Sequence, residues 1–344
     1  MVSFSHCAIL FAVVAVVFAK FLVRNVGDGS AQTIAKVRHV ETMYGKSERL
    51  YSDPYAKYMY MGSFVMEWMG VSKSQRLFDI FFPGLLELLT LRTKWIDDQI
   101  AIHAAQGDND SNDNDDGSHC GQLVILGAGY DTRGFRLNTF SEGFKIIEVD
   151  QPSVQASKRR VLQEIAEHNN QVASRLKDGT VTFVPMDFNN HGDSFGETLR
   201  ISLDSDRCAI VVLEGVTQYI PKSSTASTLK QLNNLLPKGS ILLVSYVPQV
   251  LFDDPGQIAP PDSIRFLLKG AKWAGEPWIS AWNQAGFSEF LSSELCGGYE
   301  ILSDSAVTEL EEQYLFPLRK NRGGSQRPIP PLERYVVARV VTKQ

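Results

Sequence analysis

The stretch Gln122–Leu137, QLVILGAGYDTRGFRL, decides the fold. Its first part, Gln122 to Leu126, is a short apolar run that stops at Gly127-Ala128-Gly129. A run this short, closed by glycines, has the form of a strand buried on both faces that enters a tight turn, as in a parallel sheet. The pattern recurs downstream: Lys145–Asp150 (KIIEVD), Val181–Asp187 (VTFVPMD), Cys208–Gly215 (CAIVVLEG) and Ser240–Val247 (SILLVSYV) read as further strands. Helices are expected between them, one from about Pro152 with Val154, Val161, Leu162 and Ile165 on one face, another from Ser223 with Leu229, Leu232 and Leu236 inward. Strands that alternate with helices imply an α/β fold with a mostly parallel, doubly wound sheet. Tyr335–Thr342 (YVVARVVT) reads as the last strand, expected beside one near Phe287–Leu291.

Working outward, residues 31–106 read as an N-terminal helical lid, interrupted at Pro83-Gly84. Residues 107–118 (GDNDSNDNDDGS) form an acidic low-complexity loop, expected to be solvated. It lacks the closing Glu and the ligand order of a calcium-binding hand, so no metal is expected. Residues 119–344 form the core, with a segment at about 248–277 rich in Pro, Gly and aromatics, expected to cap the strand ends. Residues 1–30 stand apart from this body. From Cys7 to Val23 the chain is apolar except for Lys20, close to the roughly 20 residues that span a bilayer. Lys20 and Arg24 follow the run, which favours a retained membrane tether through residues 7–23 with a cytosol-facing body. The alternative is a secretory or organelle-targeting segment, although no basic residue precedes the apolar run.

Composition narrows the function. The chain has 344 residues, 44% of them hydrophobic and 21% charged, which is ordinary globular usage. Its formal charge of -5 gives no global basic field, so a nucleic-acid partner is not expected. Cys7, Cys120, Cys208 and Cys296 lie far apart with no CxxC pair, which suits isolated thiols in a reducing compartment. Cys208 is expected to act as a small core hydrophobe.

In an open parallel sheet the ligand lies beyond the carboxyl ends of the strands, where strand order reverses. Four expected strand ends carry suitable residues. Gly127, Ala128, Gly129 and Asp131 follow the first strand, and the glycines let the backbone approach a ligand closely. Asp150 ends the second, 21 positions after Gly129, near the offset at which an acid meets ribose hydroxyls. Asp187 with Phe188 ends the third, placed to bond and pack on an adenine, and Glu214 ends the fourth. A dinucleotide fingerprint wants a small residue where Thr132 stands, which disfavours a nicotinamide oxidoreductase, and no Gly-Lys-Ser/Thr loop occurs. Acids at successive strand ends suit S-adenosylmethionine, whose carboxylate then needs a cation from Arg92 or Arg133.

The runs LGAGYDTRGFRL (Leu126–Leu137), EVDQPSVQASKRRVL (Glu148–Leu162), Asp53-Pro54 with Ala56, LRT (Leu91–Thr93) and EGVTQYIP (Glu214–Pro221) resemble the leucine carboxyl methyltransferase family and its polyketide-associated O-methyltransferase relatives. The likeness covers about residues 31–247. It implies a Rossmann-like class I methyltransferase that uses S-adenosylmethionine and no metal. By that resemblance Arg92 meets the methionine carboxylate, Gly127 and Gly129 line the methionine, Asp150 holds ribose, Asp187 and Phe188 flank adenine, and Glu214 lies near the methionine amino group. The GVTQYIP wording resembles the small-molecule branch more than the branch that methylates a protein's C-terminal leucine.

Methyl transfer from a sulfonium needs alignment and water exclusion more than acid or base power. A carboxylate acceptor is already nucleophilic, whereas a hydroxyl needs a base, and none is evident among His103, His119, His168 and His191. Tyr219 is a weak catalytic candidate with a packing role as its simpler explanation. The expected activity is therefore O-methylation of a carboxylate or acidic hydroxyl on a small molecule, with a peptide carboxylate as the alternative. A tethered cofactor-binding protein without turnover is the reading of another class.

Overall fold

A computed structural model describes residues 29–104, 120–141, 143–187, 194–273, 275–318, 322 and 329–341. The expected anchor, the acidic loop 107–118, Phe188, His119 and His191 lie outside the described residues. Among the described residues three α-helices precede the sheet: α1 (Gly29–Met43), α2 (Ser63–Phe81, bent at Gly70) and α3 (Leu85–Ala104). The break between α2 and α3 falls at Phe82-Pro83-Gly84, where proline and glycine stop the helical register.

Among the described residues seven strands follow in the spatial order β3-β2-β1-β4-β5-β7-β6. They are β1 (Gln122–Leu126), β2 (Lys145–Asp150), β3 (Val181–Pro185), β4 (Ala209–Leu213), β5 (Ile241–Tyr246), β6 (Tyr299–Ala306) and β7 (Arg334–Val340). The first five pair in parallel, and β7 runs antiparallel to both β5 and β6. The expected mostly parallel α/β sheet is therefore present. Strands β1, β4 and β5 are buried along their whole length because helices cover both sheet faces. Alternate residues divide between two cores: Leu123 and Ile125 pack with Leu88, Leu91 and Trp95 of α3, while Val124 and Leu126 pack with Leu229, Leu232 and Phe287 on the other face.

Between the strands run α4 (Arg133–Arg136), α5 (Pro152–Ala166), α6 (Asn170–Lys177), α7 (Ser194–Arg200) and α8 (Lys222–Leu235). After β5 come α9 (Val250–Asp253), α10 (Pro261–Trp273) and α11 (Gln284–Ser292). The last of these corrects an expectation. Phe287–Leu291 is helical, with Phe287 and Leu291, four apart, both fully buried and Asn283 accepting a bond from the Gly286 amide at the N-cap. The final strand pairs instead with Tyr299–Ala306.

Two further expectations change. Cys120 and Cys208, read as separate thiols, are joined in a disulfide with their Cα atoms 4.4 Å apart. They precede β1 and β4, neighbours in register although 88 residues apart in the chain. The expected membrane localisation is corrected on this point alone: among the described residues, which leave out 7–23, no helix is long and apolar enough to cross a membrane.

Candidate functional site

Chain reversal at β1 creates the site, because the connection from β1 goes one way to β2 and the sheet continues the other way through β4. The turn after β1 needs its glycines. Gly127 has φ 67°, and a Cβ there would come within 2.4 Å of Val216 Cγ2; Gly129 has φ 45° and faces Ala31 of α1. The Gly127 and Ala128 amides donate to Val149 O, and the Gly129 amide donates to Asp150 Oδ2 at 2.5 Å. Asp150 Oδ1 also accepts from the Gln151 amide at 2.6 Å. The acid at the end of β2 thus fixes the turn after β1 as well as facing the crevice.

A cavity of about 690 Å³ opens beyond these strand ends. The structure brings Arg92, Gly127, Ala128, Gly129, Asp131, Asp150, Asp187, Glu214 and Tyr219 together on its wall. Phe188 is not among the described residues. Helix α10 and the segment after it add Phe266, Trp273 and Trp278, while α1 adds Arg38 and the residue before β7 adds Glu333. Tyr219 packs edge-on against Trp278 at 6.3 Å between ring centres. Burial, aided by Glu276, pushes its hydroxyl up to about 12, so Tyr219 stays protonated near neutrality and is no base.

Beneath the cavity runs a ladder of guanidiniums and carboxylates. Arg38 Nε meets Asp53 Oδ2 at 2.8 Å; Arg136 lies 3.8 Å from the same oxygen and binds Asp97 through Nη1 at 2.7 Å and Nη2 at 2.8 Å. Arg133 reaches Asp97 at 2.7 Å, Asp131 at 2.5 Å and Glu214 at 2.6 Å. Arg92 closes the ladder, with Nε on Glu214 at 2.8 Å and Nη1 on Glu333 at 2.7 Å. The ladder explains the scattered motifs. Asp53 caps the Tyr55 and Ala56 amides with one oxygen and takes Arg38 and the Thr132 hydroxyl with the other, joining the Asp-Pro run to the Thr-Arg run.

Electrostatics follow from burial and pairing. Burial alone would raise the Glu214 carboxyl, but Arg133 and Arg92 hold it below the usual range. Asp131, similarly buried, is held low chiefly by Arg133, and both its oxygens bond to that residue. Glu333 goes the other way: burial raises it, Arg92 and more weakly the Tyr335 hydroxyl pull against this, and Glu214 adds to the rise. Arg133, the rival cation for a ligand carboxylate, is 1% exposed and spends its donors within the ladder, whereas Arg92 reaches the cavity wall. Among the described residues no group of His, Cys, Asp and Glu could hold a metal.

Sequence reasoning missed Arg38 and Glu333. Arg38 stands on a helix beside Lys36 and His39 with no motif around it, and Glu333 meets Arg92 across 241 residues, so neither carried a local spacing signal.

Residues 31–233 match the leucine carboxyl methyltransferase family. The Bacillus subtilis protein named "Putative S-adenosyl-L-methionine-dependent methyltransferase YktD" is 29% identical over 189 residues, 55% of this chain and 58% of that protein. A Mycolicibacterium paratuberculosis protein with the same description, apart from the final name, is 32% identical over 138 residues, 40% of each chain. The chain thus matches about half the length of these curated relatives. Among solved structures, a duf574 family protein from Streptomyces avermitilis is 14% identical with a TM-score of 0.49, covering 87% of this chain and 99% of that one.

Proposed function

This chain belongs to the leucine carboxyl methyltransferase family, and on that premise we propose that it transfers a methyl group from S-adenosylmethionine to an oxygen of a small molecule. One observation carries the reading. The two-glycine turn after β1, the acids ending β2 and β3, and the Arg92–Glu214 pair all meet on one cavity wall. A Cβ at Gly127 would run into Val216, so the turn stays bare of side chain there, and the acids suit a ligand with hydroxyls, an ammonium and a sulfonium.

In this reading Asp150 accepts from ribose hydroxyls, Asp187 and Phe188 flank adenine, Glu214 faces the ammonium and Arg92 the carboxylate. Gly127, Ala128, Gly129 and Asp131 line the methionine side. When bound, S-adenosylmethionine supplies an electrophilic methyl group on a sulfonium. The protein's own part is alignment: Phe266, Trp273 and Trp278 line the side of the cavity left for the acceptor.

The test is incubation of the chain with methyl-labelled S-adenosylmethionine and a panel of carboxylic acids, phenols and peptides ending in leucine. Label on a small-molecule oxygen is the expected result. Label confined to the peptides would replace the small-molecule reading with protein carboxyl methylation.

A further inference from the structure

The ladder does not balance. Among its described members four guanidiniums, of Arg38, Arg92, Arg133 and Arg136, face five carboxylates, of Asp53, Asp97, Asp131, Glu214 and Glu333. Glu333 ends the ladder and pairs there with Arg92. Its Oε1 accepts from Arg92 Nη1, but its Oε2 is buried without a hydrogen-bond partner, and the Tyr335 hydroxyl beside it lies outside hydrogen-bonding geometry. A buried carboxylate oxygen left unpaired is costly unless something occupies it at some stage.

Its position is informative. β7 starts at Arg334, which pairs with Tyr246 at the carboxyl end of β5, so Glu333 lies beyond that end on the cavity wall. Along the sheet the acids assigned to adenine and ribose end β3 and β2, the glycine turn follows β1, and Glu214 follows β4. Glu333 lies further on in the same direction, past the methionine end of the cofactor site and on the side left for the acceptor.

We propose that Glu333 is the catalytic base and that the acceptor is a neutral aromatic hydroxyl; this rests on the methyl-transfer reading above and deepens it. The acceptor O–H bond breaks and its proton passes to the Glu333 carboxylate. The hydroxyl oxygen's electron pair forms the bond to the methyl carbon, and the carbon–sulfur bond breaks with its pair left on sulfur. Charge supports this choice over a carboxylate acceptor. The cavity wall already carries more carboxylates, of Asp131, Asp150, Asp187, Glu214 and Glu333, than guanidiniums, of Arg38 and Arg92, so a neutral hydroxyl enters it without adding negative charge. After transfer the sulfonium is gone and the proton on Glu333 offsets the positive charge lost with it. A carboxylate acceptor instead leaves an uncompensated negative charge in the cavity both before and after transfer, which burial opposes. The rings of Tyr219, Trp278, Phe266 and Trp273 supply an aromatic wall for a planar acceptor.

Calorimetric titration tests the proton linkage without any acceptor. S-adenosylmethionine and S-adenosylhomocysteine are titrated around neutral pH in two buffers of different ionisation heat. Arg92, Glu214 and Tyr335 are the charged or titratable groups facing Glu333. The product complex should take up more protons than the cofactor complex, and Glu333→Gln should abolish that difference. No difference in the wild type, or one that survives in Glu333→Gln, overturns the assignment.

The second arm uses 4-methylphenol, 4-nitrophenol and benzoate as acceptors. Glu333→Gln should slow transfer to 4-methylphenol by at least about a hundredfold, the lower end for a lost general base, while sparing transfer to the more acidic 4-nitrophenol, which arrives largely ionised. Equal loss on both phenols makes Glu333 only a positioning residue for Arg92. Preference for benzoate, or no transfer to either phenol with cofactor bound, overturns the hydroxyl acceptor. Failure of S-adenosylmethionine to bind at all overturns instead the methyl-transfer reading beneath it.

Discussion

At the residue scale, Arg92 and Arg133 look equivalent in the sequence and differ in what surrounds them. Arg92 lines the cavity and bridges Glu214 and Glu333; Arg133 is buried under it among Asp97, Asp131 and Glu214. Lysine keeps the charge of Arg92 but loses its planar fork. Arg92→Lys should therefore weaken S-adenosylmethionine binding about tenfold, roughly 1.4 kcal/mol, with little change in unfolding midpoint. Arg133→Ala leaves three carboxylates short of a counter-ion and should lower stability by about 3–5 kcal/mol, read by urea denaturation. The reverse ranking of the two variants would contradict the placement of the cations.

Glu148 supplies a pH prediction at the same scale. It is fully buried against Lys158 at 2.5 Å, and burial raises its carboxyl from 4.5 to about 7 despite the opposing pull of that lysine. A carboxyl raised in the folded state favours folding while protonated. That contribution is full below the unfolded value and is lost as pH rises through the folded one. Stability of the wild type should fall by about 3 kcal/mol between pH 4.5 and about 7 relative to Glu148→Gln/Lys158→Met. Parallel pH profiles for the two proteins would remove the assignment. Glycines and Asp150 were legible in sequence because their relation is local in spacing; Glu333 was not, because it enters the site only when the final strand closes the sheet.

At the element scale, the parallel strands were readable from continuous apolar runs bounded by turns. β1 and β2 have the expected bounds, and β3, β4 and β5 are shorter than their apolar runs by residues that turn out at the strand ends. The segment FSEFL at Phe287–Leu291 is apolar at 287, 290 and 291, the three- and four-residue spacing of a helix face, and five residues are too few for that spacing to separate helix from strand by themselves. Its four-residue repeat of buried Phe287 and Leu291, with Asn283 as cap, decides for a helix. Asn283→Ala should cost about 1 kcal/mol of stability and leave cofactor affinity unchanged. The turn after β1 behaves differently. Gly127→Ala combines a left-handed backbone with a Cβ 2.4 Å from Val216 Cγ2, so both stability and cofactor affinity should fall. Gly127→Ala/Val216→Ala should recover part of the stability; no recovery would show that contact is not the cause.

At the scale of the whole molecule, the fold class and the crevice followed from strand order, whereas the disulfide and the charge ladder did not. Cys120 and Cys208 become neighbours only through the pairing of β1 with β4, and the ladder joins α1, α3, α4 and the ends of β4 and β7. Those joints depend on long-range packing that no spacing rule in the chain expresses. Their functional consequence is a cavity whose wall is acidic at the strand ends and carries guanidinium at Arg92 and Arg38. Such a wall suits a small ligand with net positive charge and a single carboxylate, and gives no cradle for a pyrophosphate.

Calorimetric titration of the wild type and Asp150→Ala measures most directly whether this cavity takes S-adenosylmethionine. One site per chain for S-adenosylmethionine and S-adenosylhomocysteine, weakened by about 1.5–3 kcal/mol in the variant and accompanied by little NAD binding, is the predicted result. Tight binding of NAD with no heat from S-adenosylmethionine, or equal affinities in the two proteins, would contradict it.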